Sequence, residues 1–267
     1  MTVYPLDAAE RLHQRLTDDS VCVGVNISIT EPTITEIICG AGYDFLWIDA
    51  EHSSIDLPVL NNHIRAAAIT QTPVVVRVQW NHPGLVKAVL DMGATGVLFP
   101  LAKTVADVEQ AIAACKYPPE GMRGYGPLRA NAYGRQSADY LARANSAIQP
   151  WIMVEQIELI DHIEEIVKVP GIAAFYVGWN DLAGSMGLPG QRNHPDVIGA
   201  VERFVDTAVA AGIPVVMGAP SDEALFNNMI AKGVRNFTGG GDVTFLASMA
   251  DQRIQYVREY VAGKVGS

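Results

Sequence analysis

Short apolar runs recur along the chain, several of them arriving just after a glycine that ends an amphipathic stretch. ICGAGYDFLWIDA (38–50), LDMGATGVLFPL (90–101), AAGIPVVMGAP (210–220) and AKGVRNFTGGG (231–241) share this form. Glycine accepts the left-handed conformation that closes a helix, so the pattern reads as helix, stop, strand. The runs are continuous rather than alternating, as suits strands of a parallel sheet covered on both faces. Eight are found, at 21–28, 45–50, 73–78, 96–101, 151–157, 173–178, 214–219 and 236–241. Helical periodicity separates them at about 33–41, 56–69, 83–92, 104–116, 158–168, 195–211 and 221–232, with a last helix over 243–262. Thr104 and Ser221 stand at N-cap positions. Strands and helices in strict alternation predict an α/β fold, a single-domain (β/α)8 TIM barrel, with an open doubly wound sheet as the rival. An extra helix at 6–16 would close the bottom of the barrel. The 267-residue length matches the ~250 residues of such a fold. Only 117–150 reads as a long irregular segment, because PPEGMRGYGPLRANAYGR is rich in Gly, Pro and Arg.

Composition narrows the function classes. With 49% hydrophobic and 18% charged residues the chain can fill a core and is not a disordered segment. A net charge of −10 without a Lys/Arg run argues against nucleic-acid or anionic-membrane partners. It leaves room for an anionic substrate, since a metal or an arginine reverses the field locally. No apolar run approaches the ~20 residues of a membrane span. The first 16 residues carry acidic side chains and lack the apolar segment of a secretory leader. Cys22, Cys39 and Cys115 form no C-x-x-C pair and read as reduced core thiols of a cytoplasmic protein.

Active sites of (β/α)8 barrels lie at the C-terminal ends of the strands. Several otherwise apolar strands turn polar there: Asp49, Glu51 and His52 after strand 2, Arg77 in strand 3, Glu155 in strand 5, Gly178-Trp179-Asn180-Asp181 after strand 6, and Asp242 after strand 8. A charge at the end of a buried strand is expensive unless paired or metal-bound. Glu155 and Asp181, from neighbouring strands, are candidate ligands for a hard cation such as Mg²⁺ or Mn²⁺, with Co²⁺ as a further option; each could instead cap a helix or pair with an arginine. His52 is the candidate general base, with Asp49 three residues earlier expected to orient its ring. Arg77, within VVVRV, would face an anionic substrate or pair with a barrel carboxylate. Of the other histidines, His13, His63 and His162 read as structural, and His82 and His194, each before a proline, as helix caps.

Taken together, GYDFLWIDAEH (42–52), VVRV (75–78), KAVLDMGA (87–94), YPPEGMRGYG (117–126), VE (154–155) with DHIEEI (161–166), and GWNDLA (178–183) resemble the HpcH/HpaI aldolase family of metal-dependent (class II) 2-keto acid aldolases. The resemblance runs from about Val21 to Gln252. It implies Glu155 and Asp181 as metal ligands, and His52, supported by Asp49, as a base working through a water. It implies Arg77 as the residue that holds the pyruvate oxygens and stabilises the enolate. The backbone from Gly178 through Trp179 and Asn180 would cradle the substrate carboxylate. Asp91 would reach a neighbouring subunit's site in a homo-oligomer, a hexamer or trimer, with the last helix exchanged between partners. Two positions depart from the family: Met153 stands where glutamine is common, and Trp179 where proline is. Shifting the metal glutamate to Glu158 would restore a preceding glutamine, Gln156, but the spacing to 161–166 and Asp181 fits Glu155.

The chemistry so implied joins a 2-keto acid such as pyruvate to an aldehyde, or cleaves a 4-hydroxy-2-keto acid. Arg123, Arg129 and Arg135 in the loop 121–135 would bind the acceptor or serve subunit contacts. A related enolate enzyme is the alternative: an oxaloacetate decarboxylase, an acyl-CoA lyase or a citrate-forming synthase. The sequence has no basic patch for a CoA nucleotide. A non-catalytic binding protein fits poorly with His52, Arg77, Glu155 and Asp181 all present.

Overall fold

The structure, a computed structural model, describes residues 5–265. The first four residues of the leader reading lie outside the described residues. Eight parallel strands close into a barrel in chain order: β1 (Cys22–Ile27), β2 (Phe45–Asp49), β3 (Val74–Arg77), β4 (Gly96–Phe99), β5 (Gln149–Val154), β6 (Ala174–Val177), β7 (Val215–Gly218) and β8 (Asn236–Gly241), with β8 paired to β1. The expected (β/α)8 architecture is present. The glycines of the recurring pattern take positive φ, 97° at Gly93 and 100° at Gly233.

Side chains alternate between two cores because successive strand residues face opposite sides of the sheet. One phase fills the barrel: Phe45, Trp47, Val75, Leu98, Trp151, Met153, Tyr176 and Val216. The other phase, including Leu46, Ile48, Val74, Val76, Ile152 and Val154, packs outward under the helices. Asp49, Arg77 and Glu155 are the next positions of the inward phase at the C-terminal ends of β2, β3 and β5. The alternation that fills the barrel therefore also delivers charge to its mouth.

The outer ring begins with α1 (Leu6–Thr17), which buries Leu12 and Leu16 against Cys22, Phe45 and Trp151 and closes the N-terminal end as expected. Around the barrel follow α2 (Thr33–Cys39), α3 (Leu57–Ile69), α4 (Pro83–Asp91), α5 (Val105–Cys115), α6 (Ser137–Ala147), α7 (Ile157–Asp161), α8 (Ile163–Ile166), α9 (Trp179–Ser185), α10 (Pro195–Ala210), α11 (Glu223–Ala231) and α12 (Asp242–Val265). Thr104 forms a capping box with Asp107 at α5, and the His82 and His194 rings accept from Gly84 and Asp196 N–H at α4 and α10. His63 is buried against the Thr35 hydroxyl at 2.7 Å.

Four details differ from the sequence reading. The segment 117–150 is not irregular throughout, since SADYLARANSA forms α6 and buries Tyr140, Ala144 and Ala147. β5 begins at Gln149, two residues early, so Glu155 sits just past the strand. The helix expected at 158–168 breaks at His162 into α7 and α8. The cap of α11 is Asp222, whose carboxylate accepts Leu225 N–H at 2.8 Å, rather than Ser221. At the end of the chain α12 runs 24 residues, or ~36 Å at 1.5 Å per residue. It leaves Leu246, Met249, Ile254, Tyr256 and Tyr260 exposed.

Candidate active site

The centre of the barrel mouth is an ion pair. Asp49 and Arg77 are direct register partners on β2 and β3 and are 5% and 6% exposed. Asp49 takes Arg77 Nε at 2.9 Å and Nη2 at 2.5 Å, a two-pronged pairing that fixes the guanidinium plane. Its Oδ1 also accepts the N–H groups of Glu51 at 3.0 Å and His52 at 3.1 Å. Burial pushes the Asp49 carboxyl up, but Arg77 and the two N–H donors outweigh it, and its pKa falls below the usual carboxylate value. The expectation that Asp49 orients the His52 ring is corrected here. Asp49 holds the backbone of that turn, and its carboxylate is taken by Arg77.

The rest of Arg77 is also engaged. Nη1 lies 3.1 Å from Glu51 Oε2 and donates weakly to Met153 Sδ at 3.7 Å, and the guanidinium lies 4.9 Å from the centre of the Trp47 ring. Of the five N–H groups, one on Nη2 is left without a protein acceptor, and a second, on Nη1, is ion-paired with Glu51 but makes no hydrogen bond. The acid beside the imidazole is Glu51, with Oε2 3.8 Å from His52 Nε2, too long for a hydrogen bond. Glu51 Oε2 is buried and accepts no hydrogen bond. Burial raises the Glu51 pKa against the pull of Arg77. Glu51 was visible at the end of strand 2 but was not among the site residues inferred from sequence. The His52 side chain is 63% exposed and open to water and ligand.

Glu155 is 2% exposed. Its Oε1 accepts the Leu101 N–H at 2.6 Å. Leu101 adopts φ 60°, sparsely populated for a leucine, in making this contact. Burial raises the Glu155 carboxyl to about 7, and the charges of Glu51 and Asp181 push the same way. Gly178 must be small, because a Cβ there would lie 3.0 Å from Glu155 Cβ and 3.1 Å from Met153 Cε. Asp181 is exposed on the first turn of α9, beside the exposed Asn180 and the partly buried Trp179. The competing Glu158 is on the outer surface, paired with Lys103 at 3.0 Å.

Among the described residues no three His, Cys, Asp or Glu side chains are grouped so as to hold a metal unaided. Glu155 and Asp181 fit a cation that keeps water or substrate ligands. The Asp181 charge pushes the Glu51 and Glu155 carboxyls up, Glu51 adds to the push on Glu155, and the unpartnered Glu51 oxygen adds to the uncompensated negative charge. A divalent cation would relieve that repulsion.

Arg123 is not at the mouth. Its side chain is fully enclosed, 4.5 Å from the Tyr117 ring centre, and donates to Tyr140 Oη at 3.0 Å and Asp91 Oδ1 at 2.8 Å. The expected role as an acceptor ligand is therefore corrected. Within this chain its guanidinium cannot meet a substrate and instead holds Asp91 at the end of α4. Arg129 and Arg135 bind the carbonyls of Met92 and Ala132.

The fold agrees with the comparisons to known proteins. The family model described as HpcH/HpaI aldolase/citrate lyase matches residues 23–248. The chain is 33% identical over 232 residues to a 4-hydroxy-2-oxo-heptane-1,7-dioate aldolase of Salmonella dublin, covering 86% of this chain and 87% of that one. It is 34% identical over 229 residues to a 5-keto-4-deoxy-D-glucarate aldolase of Shigella dysenteriae, covering 85% and 89%. Among solved structures, an HpcH/HpaI aldolase/citrate lyase family protein from Burkholderia cenocepacia superposes with a TM-score of 0.86 at 35% identity, covering 92% of this chain and 98% of that one. The chain belongs to the HpcH/HpaI aldolase/citrate lyase family.

Proposed function

We propose that this protein is a metal-dependent aldolase that cleaves or forms 4-hydroxy-2-keto acids through the enolate of pyruvate or a close analogue. The observation that carries this reading is the charge cluster at the barrel mouth, in which Glu51 and Glu155 are largely buried and Asp181 is exposed. Three carboxylates, Glu51, Glu155 and Asp181, oppose one another beside the fixed guanidinium of Arg77. Glu155 and Asp181 would hold Mg²⁺ or Mn²⁺, which when bound supplies Lewis-acid charge to the keto-acid oxygens. The free N–H of Arg77 donates to the keto oxygen as negative charge develops there, and Asp49 keeps that donor aimed. His52 exchanges the C3 proton from the open side of the site, through a water. Gly178 gives its N–H to the Val154 carbonyl at 3.0 Å, so the backbone N–H groups of Trp179 and Asn180 at the start of α9 receive the substrate carboxylate, and Trp179 limits the space beside it. The names of the two curated relatives make an acid with a second carboxylate the first substrate class to try.

The active form in this reading is a homo-oligomer, hexameric or trimeric. The apolar residues left exposed along α12 would be covered by a neighbouring subunit. Asp91, held by Arg123, would complete the neighbour's site. A cytoplasmic setting fits three free, buried cysteines. Among the described residues no helix is long and apolar enough to cross a membrane.

The test is pyruvate C3 proton exchange in D₂O, followed by NMR on protein loaded with Mg²⁺ or Mn²⁺, and then condensation with a panel of aldehydes. Metal-dependent exchange with aldol product is the expected result. Exchange absent under every metal would overturn the enolate reading.

A further inference from the structure

Three neighbouring strands carry N–H donors that the chain itself does not use. Asn26 on β1 and Trp47 on β2 are register partners, and Trp47 pairs in register with Val75, two residues before Arg77 on β3. All three face the barrel interior. Trp47 belongs to the inward phase that Arg77 continues, and Asn26 lies two residues beyond Gly24, where a Cβ would run into the inward Phe45 ring. Asn26 Nδ2 and Trp47 Nε1 are buried and meet no acceptor among the described residues. Arg77 keeps one N–H on Nη2 beyond those given to Asp49. Buried polar groups are nearly always paired, and a buried indole N–H usually finds a partner. Exceptions on three adjacent strands, at the open end of the barrel, call for an acceptor from outside the chain.

Trp47 holds the central place among them. Its side chain is nine-tenths buried, with 7% of the residue exposed. The Arg77 guanidinium lies 4.9 Å from its ring centre and the Tyr176 ring 5.2 Å away. The attraction of the cation for the ring keeps the indole beside the free N–H of Arg77, so one small ligand can meet both donors. The neighbours in this layer offer less. Met153, the other side chain against Arg77, presents a thioether and no N–H. The Tyr176 hydroxyl is engaged with the Thr238 hydroxyl at 3.0 Å. Trp47 is the donor of this layer that remains for a ligand held by Arg77.

We propose that Trp47 is a further binding residue of the site, its Nε1–H sharing the keto oxygen of the bound keto acid with the free N–H of Arg77. The proposal rests on the aldolase reading and adds a neutral donor at the oxygen where enolate charge develops. A donor fixed by packing needs no rearrangement as that charge grows, so the contact strengthens toward the enolate. The rival occupant is an ordered water that takes N–H bonds from both Trp47 and Asn26, which leaves the indole out of the reaction.

The test follows the indole directly. Protein loaded with diamagnetic Mg²⁺ gives four indole peaks in a ¹H–¹⁵N spectrum, from Trp47, Trp80, Trp151 and Trp179. The Trp47 peak is assigned by its loss in Trp47→Phe, or by elimination of the other three should that variant not fold. Pyruvate, or oxalate as a planar mimic of its enolate, should move the Trp47 peak downfield. The Trp151 peak, whose N–H is held by Gln149 at 3.1 Å, should stay in place. Trp47→Phe keeps an aromatic ring against Arg77 and removes the donor. Its kcat for pyruvate proton exchange should fall about 10- to 100-fold, the usual worth of one hydrogen bond to a charged group, at unchanged Mg²⁺ affinity. Exchange that proceeds with the Trp47 peak unmoved, or that survives Trp47→Phe within twofold, assigns the N–H to a water and overturns the proposal while the aldolase reading stands. If wild type exchanges no proton under any metal, the aldolase reading fails and oxalate alone decides the donor pair. A shifted Trp47 peak then supports it, and an unmoved one overturns it.

Discussion

The two ends of the barrel are built from the same alternating phase of side chains and come out as opposites. At the N-terminal end, α1 seals inward-facing Cys22, Phe45 and Trp151 under Leu12 and Leu16. The polar donors there find acceptors: Gln149 Nε2 donates to the Ala9 carbonyl, Trp151 Nε1 to Gln149 Oε1 at 3.1 Å, and Asn236 Nδ2 to the Leu16 carbonyl at 3.3 Å. At the C-terminal end the phase continues into Asp49, Arg77 and Glu155. There a carboxyl is raised to about 7, a buried Glu51 oxygen has no donor, and a leucine holds φ 60°. At the closed end the donors are paired and the Asn236 Oδ1 acceptor is left without a donor, whereas at the mouth the departures fall on charged groups where ligands must bind, as expected for this fold. That contrast predicts which substitutions will change chemistry and which will change only stability.

The largest effect should follow loss of a mouth carboxylate. Glu155→Ala and Asp181→Ala should each lower metal content after dialysis, measured by elemental analysis. Pyruvate exchange should fall about 10⁴-fold, since Lewis-acid stabilisation is worth several kcal/mol. If Glu158→Ala empties the site and Glu155→Ala does not, the assignment of the glutamate is wrong. His52→Ala should slow exchange by about 10²- to 10⁴-fold, the span of general acid–base catalysis, while metal binding survives. Undiminished exchange would remove His52 from the mechanism.

The raised Glu155 carboxyl gives a prediction in pH. An unfolded glutamate titrates near its ordinary value of about 4.3, whereas the folded one titrates at about 7. Between these values the folded protein holds the extra proton, so stability falls as pH rises. The penalty is absent below the unfolded pKa, grows across that window and is complete above it. In metal-free protein Glu155→Gln should therefore be more stable than wild type at pH 8, by at most about 4 kcal/mol, with the gain fading near pH 4. Urea midpoints of EDTA-treated samples measure this. A gain that is flat with pH would mean that the effect is packing, not charge.

Much of the contrast was legible in the sequence. The glycine-then-strand rhythm located β2, β4, β7 and β8 and the continuous apolar runs located the other strands, and carrying the inward phase one step past Trp47, Val75 and Met153 leads to Asp49, Arg77 and Glu155. What failed was local adjacency used as a guide to contact. Asp49 is three residues from His52, yet it pairs with Arg77, 28 residues away, because β2 and β3 align them. Strand phase and register could have shown this. Nothing local could have shown that Arg123 is enclosed between Tyr117 and Tyr140, since that depends on α6, which the surrounding Gly and Pro residues hid. The left-handed Leu101 also carries no signal, because leucine normally avoids that conformation.

The smallest effect belongs to the closed end and tests the comparison from its other side. Gln149 bridges α1 and β5, giving its amide N–H to Ala9 and taking that of Trp151 at 3.1 Å. Gln149→Leu keeps the size of the side chain but strands the buried Trp151 indole N–H. Leaving a buried group unpaired costs about 1–3 kcal/mol. The urea midpoint should drop accordingly, with an unchanged denaturant slope if the fold stays two-state. Pyruvate exchange should stay within about twofold, because no charge at the mouth has lost a partner and a tenfold change would need ~1.4 kcal/mol at the transition state. A large loss of exchange at full metal occupancy, under conditions where the variant remains folded, would mean that strain passes from α1 through the packed interior to Arg77. The two ends would then be one coupled unit rather than a sealed base and an open site.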